Sequence, residues 1–109
     1  NWKYKLMIRV PEFVTKDDLP IAREQLAKKK KEGPFELVDL RIIEEGMVVQ
    51  ALHVGPYTEE TPTLDAMHSW ANEQGYKRLP SHHELYLSDP RRVDPAKLRT
   101  ILRTPVEKE

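Results

Sequence analysis

The chain has 109 residues, a one-domain length that can enclose one modest hydrophobic core and not two independent ones. Hydrophobic residues make up 39% and charged residues 33%, with 18 Lys plus Arg against 18 Asp plus Glu, so the basic excess that holds a polyphosphate backbone is lacking and nucleic acid is not an expected partner. The chain contains no cysteine, which excludes disulfide scaffolds, thiol catalysis and cysteine-based zinc sites, and no apolar run reaches bilayer-spanning length, so a soluble, cytoplasmic protein is expected.

Trp2, Tyr4, Leu6, Ile8 and Val10 alternate with Lys3, Lys5, Met7 and Arg9, which predicts a strand from the first residues onward. A chain that begins inside an element reads as the C-terminal portion of a longer protein; an edge strand at a processed terminus is the alternative. Pro11 ends that run, and Thr15-Lys16-Asp17-Asp18 opens a helix with Pro20 in its first turn, where a missing N–H has no partner to lose. Lys28 to Lys31 crowd its C-terminal end before Gly33-Pro34 and read as a solvated helix end complementing the dipole rather than as a phosphate patch.

From Phe35 to Gly55 the period is two. Val38, Leu40 and Ile42 share a face, Glu44-Glu45-Gly46 makes a turn, and the apolar run Met47 to Val54 follows, so a β-hairpin is predicted. Gly55-Pro56 breaks the second strand, and Thr61-Pro62 starts a helix whose Leu64, Met67, His68 and Ala71 recur at helical spacing until Gly75. A strand from His82 to Ser88 is punctuated by Asp89-Pro90 and Asp94-Pro95, and a last strand runs from Leu98 to Val106. The order β, α, β, β, α, β, β predicts an α+β fold, an antiparallel sheet with helices on one face.

The strand His82 to Ser88 is the chemically richest stretch. Alternation puts His82, Glu84, Tyr86 and Ser88 on one face and His83, Leu85, Leu87 and Asp89 on the other. If Leu85 and Leu87 pack beneath the helices, Glu84 lies on the opposite surface, either open to water or facing a cleft. Neighbouring histidines on a strand point apart and cannot chelate one ion, and a set of His82, Glu84 and His53 matches no known metal spacing, so no metal is expected. His68 reads as a core or boundary residue, Trp70 as core packing, and Asp89-Pro90-Arg91-Arg92 as a solvated turn. The chain has neither a nucleophile elbow nor a glycine-rich phosphate loop, and no cofactor is expected.

Two stretches, His53-Val54-Gly55-Pro56-Tyr57 and His83 through Arg92, resemble the C-terminal half of the GyrI-like (gyrase-inhibitor-like) small-molecule-binding proteins. The similarity extends through Leu6-Met7-Ile8, Pro11 to Thr15, the helix around Met67-His68, and Lys97 to Val106. It implies a SOUL/GyrI-like β-α-β-β unit preceded by a strand and a connector helix. Residues 1–109 would then be a single domain lacking its N-terminal β-α-β-β unit, with Trp2 to Val10 as the last strand of that unit.

The resemblance also implies a function, the binding of lipophilic or cationic small organic molecules in an aromatic cleft centred on Glu84, for xenobiotic protection. One alternative is a hydrolase that opens cyclopropanoid DNA-alkylating compounds with Glu84 as the catalytic group; another is a protein inhibitor of a topoisomerase. Tyr57, Tyr86, Trp2, Tyr4 and His53 are the expected ligand-binding residues. The expected partner is a small organic ligand, and not a membrane; a second copy of the chain, the absent N-terminal half and a topoisomerase are the macromolecular alternatives.

Overall fold

A computed structural model describes residues 4–109, and the chain divides into two units, Asn1–Ile43 and Glu44–Glu109. In the first unit the helix α1 spans Asp18–Lys28. The Asp18 carboxylate reaches back to accept the Thr15 backbone N–H at 2.8 Å, fixing the turn that leads into the helix. The α1 stripe is thin, and none of its residues is buried.

The strands expected before and after α1 do not form among the described residues. Residues 4–10 have no ladder partner, and the expected hairpin strand through Val38, Leu40 and Ile42 is replaced by a one-turn 3₁₀ helix at Phe35–Leu37 and irregular backbone beyond it. Arg23 accounts for part of this. Its Nε donates to the Phe35 carbonyl at 3.1 Å and its Nη2 to the Val38 carbonyl at 2.6 Å, tying that segment to α1. Alternation states only that a segment suits a sheet; without a ladder its backbone groups are satisfied elsewhere. Trp2 lies outside the described residues, as does the start of the first expected strand.

The second unit holds β1 (Val48–Val54), a 3₁₀ turn at Tyr57–Glu59, α2 (Glu60–Glu73), β2 (Tyr76–Arg78), β3 (His83–Tyr86) and β4 (Arg99–Lys108). The four strands form an antiparallel sheet in which β4 is central, with β1 along one edge and both β2 and β3 along the other. With the two helices, this is the expected α+β class. The short strand β2 was not expected. Pro105 explains why one edge is made of two pieces. Its carbonyl accepts the Leu79 N–H at 2.9 Å but it has no N–H to return, so pairing lapses opposite it and resumes at His83.

Strict alternation governs β4. Thr100, Leu102, Thr104 and Val106 are buried beneath α2, while Ile101, Arg103 and Pro105 are half-buried on the other face. Val49, Met67, Ala71, Leu102 and Val106 form the core, with Ala51, Leu64 and Tyr76 packed against it. Trp70, expected in this core, is 57% exposed. It stands on the flank of the α2 stripe with Thr63 and Ala66, and the three line a groove beside β1.

Candidate functional site at the start of helix α2

Residues directly opposite one another in an antiparallel pair share a face of the sheet. Glu84 lies opposite the fully buried Leu102, and Tyr86, itself 57% exposed, opposite the fully buried Thr100. Glu84 and Tyr86 therefore stand on the face that α2 covers. Leu85 takes the other face, where it aligns with Ile101, and Leu87, which shares its parity, is 57% exposed. The parity expected for the strand holds, and cross-strand register, not side-chain polarity, decides which face the helix covers.

The Tyr86 hydroxyl donates to Glu84 Oε2 at 2.6 Å, and the Tyr57 ring stands edge-on to Tyr86, with centroids 5.5 Å apart and planes at 75°. Tyr57, Tyr86 and Glu84 thus come together as expected neighbours. Tyr4 lies in the first unit and is 74% exposed. His53 is buried and fully engaged. Its Nε2 donates to the Pro56 carbonyl at 3.0 Å, and its Nδ1 pairs with the Thr63 hydroxyl at 2.8 Å. It locks the Gly55-Pro56 turn to β1 and to the first turn of α2. Gly55 has φ near +135°, a region that side chains rarely adopt, which is why this turn takes glycine.

A residue with no place in the expected site dominates its electrostatics. Glu60, in the first turn of α2, is only 6% exposed. Burial pushes its carboxyl up to about 8, aided by hydrogen bonding to Glu84 and by the Glu84 charge. Glu84 moves the other way. The hydrogen bond with Glu60 holds it below the ordinary carboxylate range, and the Tyr86 hydroxyl and His82 add to this against the effect of burial. The Tyr86 hydroxyl is in turn pushed up to about 12, chiefly because it donates to Glu84. Near neutral pH the pair is one neutral acid beside one carboxylate, sharing a proton.

The signal for Glu60 was present in the chain. Glu60, Leu64, Met67 and Ala71 recur at the spacing of one helix face, so extending the apolar stripe back by one turn reaches Glu60. Reading Thr61-Pro62 as the start of the helix left it outside.

The Glu60 proton makes the stability of the fold depend on pH. A carboxyl held at about 8 in the fold, against an ordinary 4.5, binds its proton more tightly folded than unfolded. Its stabilising contribution is therefore complete below the ordinary carboxylate range and drains away as pH rises towards 8. The lowered Glu84 contributes the opposite slope, in acid. Glu60→Gln keeps a donor for Glu84 and removes the titration. The wild-type melting midpoint should fall by several degrees between about pH 5 and about pH 9, and that of Glu60→Gln should stay nearly flat. Parallel curves for the two proteins in thermal melts would refute the assignment.

Two surface recesses lie away from the glutamates. One, of about 590 Å³, lies between α2 and β2, where Arg78 Nη1 donates to His68 Nδ1 at 3.1 Å and His68 Nε2 meets the Thr104 hydroxyl at 2.9 Å. The other, of about 480 Å³, is the groove beside Trp70. Among the described residues no group of three His, Asp or Glu side chains is placed to hold a metal ion, and no helix is long and apolar enough to cross a membrane.

The family model for the GyrI-like small molecule binding domain matches residues 11–107. Among solved structures, a hydrolase from Listeria innocua is 42% identical and superposes with a TM-score of 0.85, over 91% of this chain and 52% of that one. An uncharacterized conserved protein from Listeria innocua is 44% identical with a TM-score of 0.86, over 91% of this chain and 50% of that one. The present chain thus spans about half the length of these structures. No curated protein matches it.

Proposed function

Since this chain belongs to the GyrI-like small-molecule-binding domain family, we propose that the Glu60–Glu84 pair and the Tyr57–Tyr86 wall take up a lipophilic organic cation, in the service of xenobiotic protection. The observation that carries this reading is the state of Glu84. It receives hydrogen bonds from Tyr86 and Glu60, which keep it ionised and oriented although it is half-buried. An ionised, partly desolvated carboxylate beside two aromatic rings suits a cation too large and apolar to be well hydrated. The ring faces add attraction of about 0.5 to 2 kcal/mol each where they meet the charge. Neutral lipophiles gain only the apolar contact, so the site discriminates by charge.

Calorimetric titration of the protein with tetraphenylphosphonium and with neutral tetraphenylmethane in a solubilising co-solvent tests this. The cation should bind at least about tenfold more tightly, corresponding to roughly 1.4 kcal/mol. Equal affinities, or no heat with either, would sink the cation reading.

A second reading draws on the proton shared by the two carboxyls. A neutral acid next to a carboxylate is the arrangement that acid–base chemistry requires, and one of the similar structures is described as a hydrolase. In the hydrolytic version Glu84 accepts a proton from water as the water oxygen bonds to a strained cyclopropane carbon. The C–C bond that breaks leaves its electron pair on the substrate, where Glu60 supplies the proton. The sum is addition of one water, with both carboxyls restored by exchange of a single proton. Mass spectrometry of an activated cyclopropane incubated with the protein distinguishes the readings, because binding alone yields no product heavier by one water.

A further inference from the structure

Thr100 sits in the middle of β4 and is completely buried, and its hydroxyl is the one buried side-chain polar atom without a hydrogen-bond partner among the described residues. Native interiors leave few such atoms unpaired, and a hydroxyl offers one donor and two acceptor positions. Its cross-strand neighbours are His53 on β1 and Tyr86 on β3. His53 has both ring nitrogens committed to Thr63 and Pro56, and Tyr86 spends its proton on Glu84. Neither is free to donate to Thr100.

The lie of α2 brings Glu60 to the end of the sheet where this hydroxyl sits. Thr63 of α2 bonds His53 on the strand to one side of β4, and Glu60 of the same helix shares a proton with Glu84 on the strand to the other side. The first turn of α2 therefore crosses β4 between the His53–Thr100–Tyr86 row and the Leu102–Glu84 row, with Glu60 buried there. One carboxyl oxygen suffices for the proton Glu60 shares with Glu84, which leaves its second oxygen available for another partner.

We propose that Thr100 positions Glu60 through one buried water, which bridges the Thr100 hydroxyl to the second Glu60 carboxyl oxygen. The water completes two buried polar groups at once and has a third partner available in the Tyr86 hydroxyl oxygen, which is the coordination usual for internal water. On the elements that meet at Glu60 the ionisable groups are Glu84, Tyr86 and His82 from β3 and its approach, His53 from β1, and Tyr57 and Glu59 from the turn before α2; the covered face of β4 contributes the neutral Thr100 and Thr104. Thr100 is thus the group on the sheet floor that tunes, through the water, how readily the buried Glu60 loses its proton. The proposal rests on the same carboxyl pair as the cation reading but needs no ligand.

Carbon-13 NMR of the Glu60 side-chain carboxyl, titrated without ligand in wild type, Thr100→Val and Thr100→Ser, is the test. Valine keeps the shape and removes the hydroxyl that holds the water, so ionised Glu60 loses a donor. Its midpoint should rise by about 0.5 to 1 pH unit, a three- to tenfold change in proton affinity, while serine should restore the wild-type value. A midpoint unmoved in Thr100→Val overturns the proposal. Wild type should also show a long-lived water cross-peak to the Thr100 methyl, and the absence of that peak overturns it even if the valine variant does not fold. Failure of ligand binding with the midpoint shift intact would overturn the cation reading alone.

Discussion

Glu84→Gln should weaken binding of a monovalent lipophilic cation by about ten- to a hundredfold at about pH 6, corresponding to roughly 1.4–2.8 kcal/mol, and change affinity for the neutral isostere by less than about twofold. The amide has nearly the shape of the carboxylate and its oxygen still accepts from Tyr86, so what is lost is the charge. The Glu84 charge is also one of the causes that keep Glu60 protonated. In the variant the Glu60 midpoint falls, although burial still holds it above the ordinary range. At about pH 9 the single variant should therefore regain affinity as Glu60 ionises, and the double variant Glu60→Gln, Glu84→Gln should not. Undiminished cation affinity of Glu84→Gln at about pH 6 would remove Glu84 from the site.

The largest effect on stability is expected at Leu102. It is fully exposed to neighbours and not at all to water, sitting at 0% exposure between Ala51 on β1 and Glu84 on β3, within the core formed with Met67 and Ala71 of α2. Leu102→Ala removes contacts on every side and leaves a cavity that a central strand cannot collapse, at a cost of about 2–5 kcal/mol. For a unit of this size each kcal/mol lowers the melting midpoint by roughly 4–8 °C. Ile101→Ala, one residue away on the opposite face, should cost less than half as much, because that side chain is only half-buried. Equal losses in the same denaturation experiment would contradict the two-faced sheet.

The electrostatics of the site follow from its place in the fold. The first turn of a helix receives negative charge favourably, since its free N–H groups and dipole are positive there. Glu60 occupies such a position, yet burial against Glu84 outweighs the benefit and leaves it protonated near neutral pH. A solvated first-turn acid such as Asp18 of α1, by contrast, spends its charge on the local backbone. Two acids at equivalent helix positions thus serve different ends, and tertiary contact makes the difference.

Much of the second unit was legible in the chain. The apolar run ending at Val54, the stripe Leu64, Met67 and Ala71, and the alternation through Leu102 and Val106 each carry a period that one backbone geometry satisfies, and β1, α2 and β4 formed where those periods ran. The parity of Glu84 with Tyr86, and their nearness to Tyr57, also followed from local rules and the family resemblance. Other features needed the assembled structure. Alternation in residues 4–10 and 38–42 stated a suitability for pairing, but a strand exists only where a second backbone answers it, and Arg23 claimed the carbonyls at Phe35 and Val38 instead. Which side of the sheet each β3 residue takes depends on register against β4, which no residue of β3 encodes by itself, so Glu84 lies on the helix side and Leu85 on the other. The sharing of a proton between Glu60 and Glu84, 24 positions apart in the sequence, arises because α2 crosses the sheet where it does. Periodicity is a property of neighbours along the chain, whereas burial and ionisation are properties of neighbours in space, and only the tertiary structure decided those.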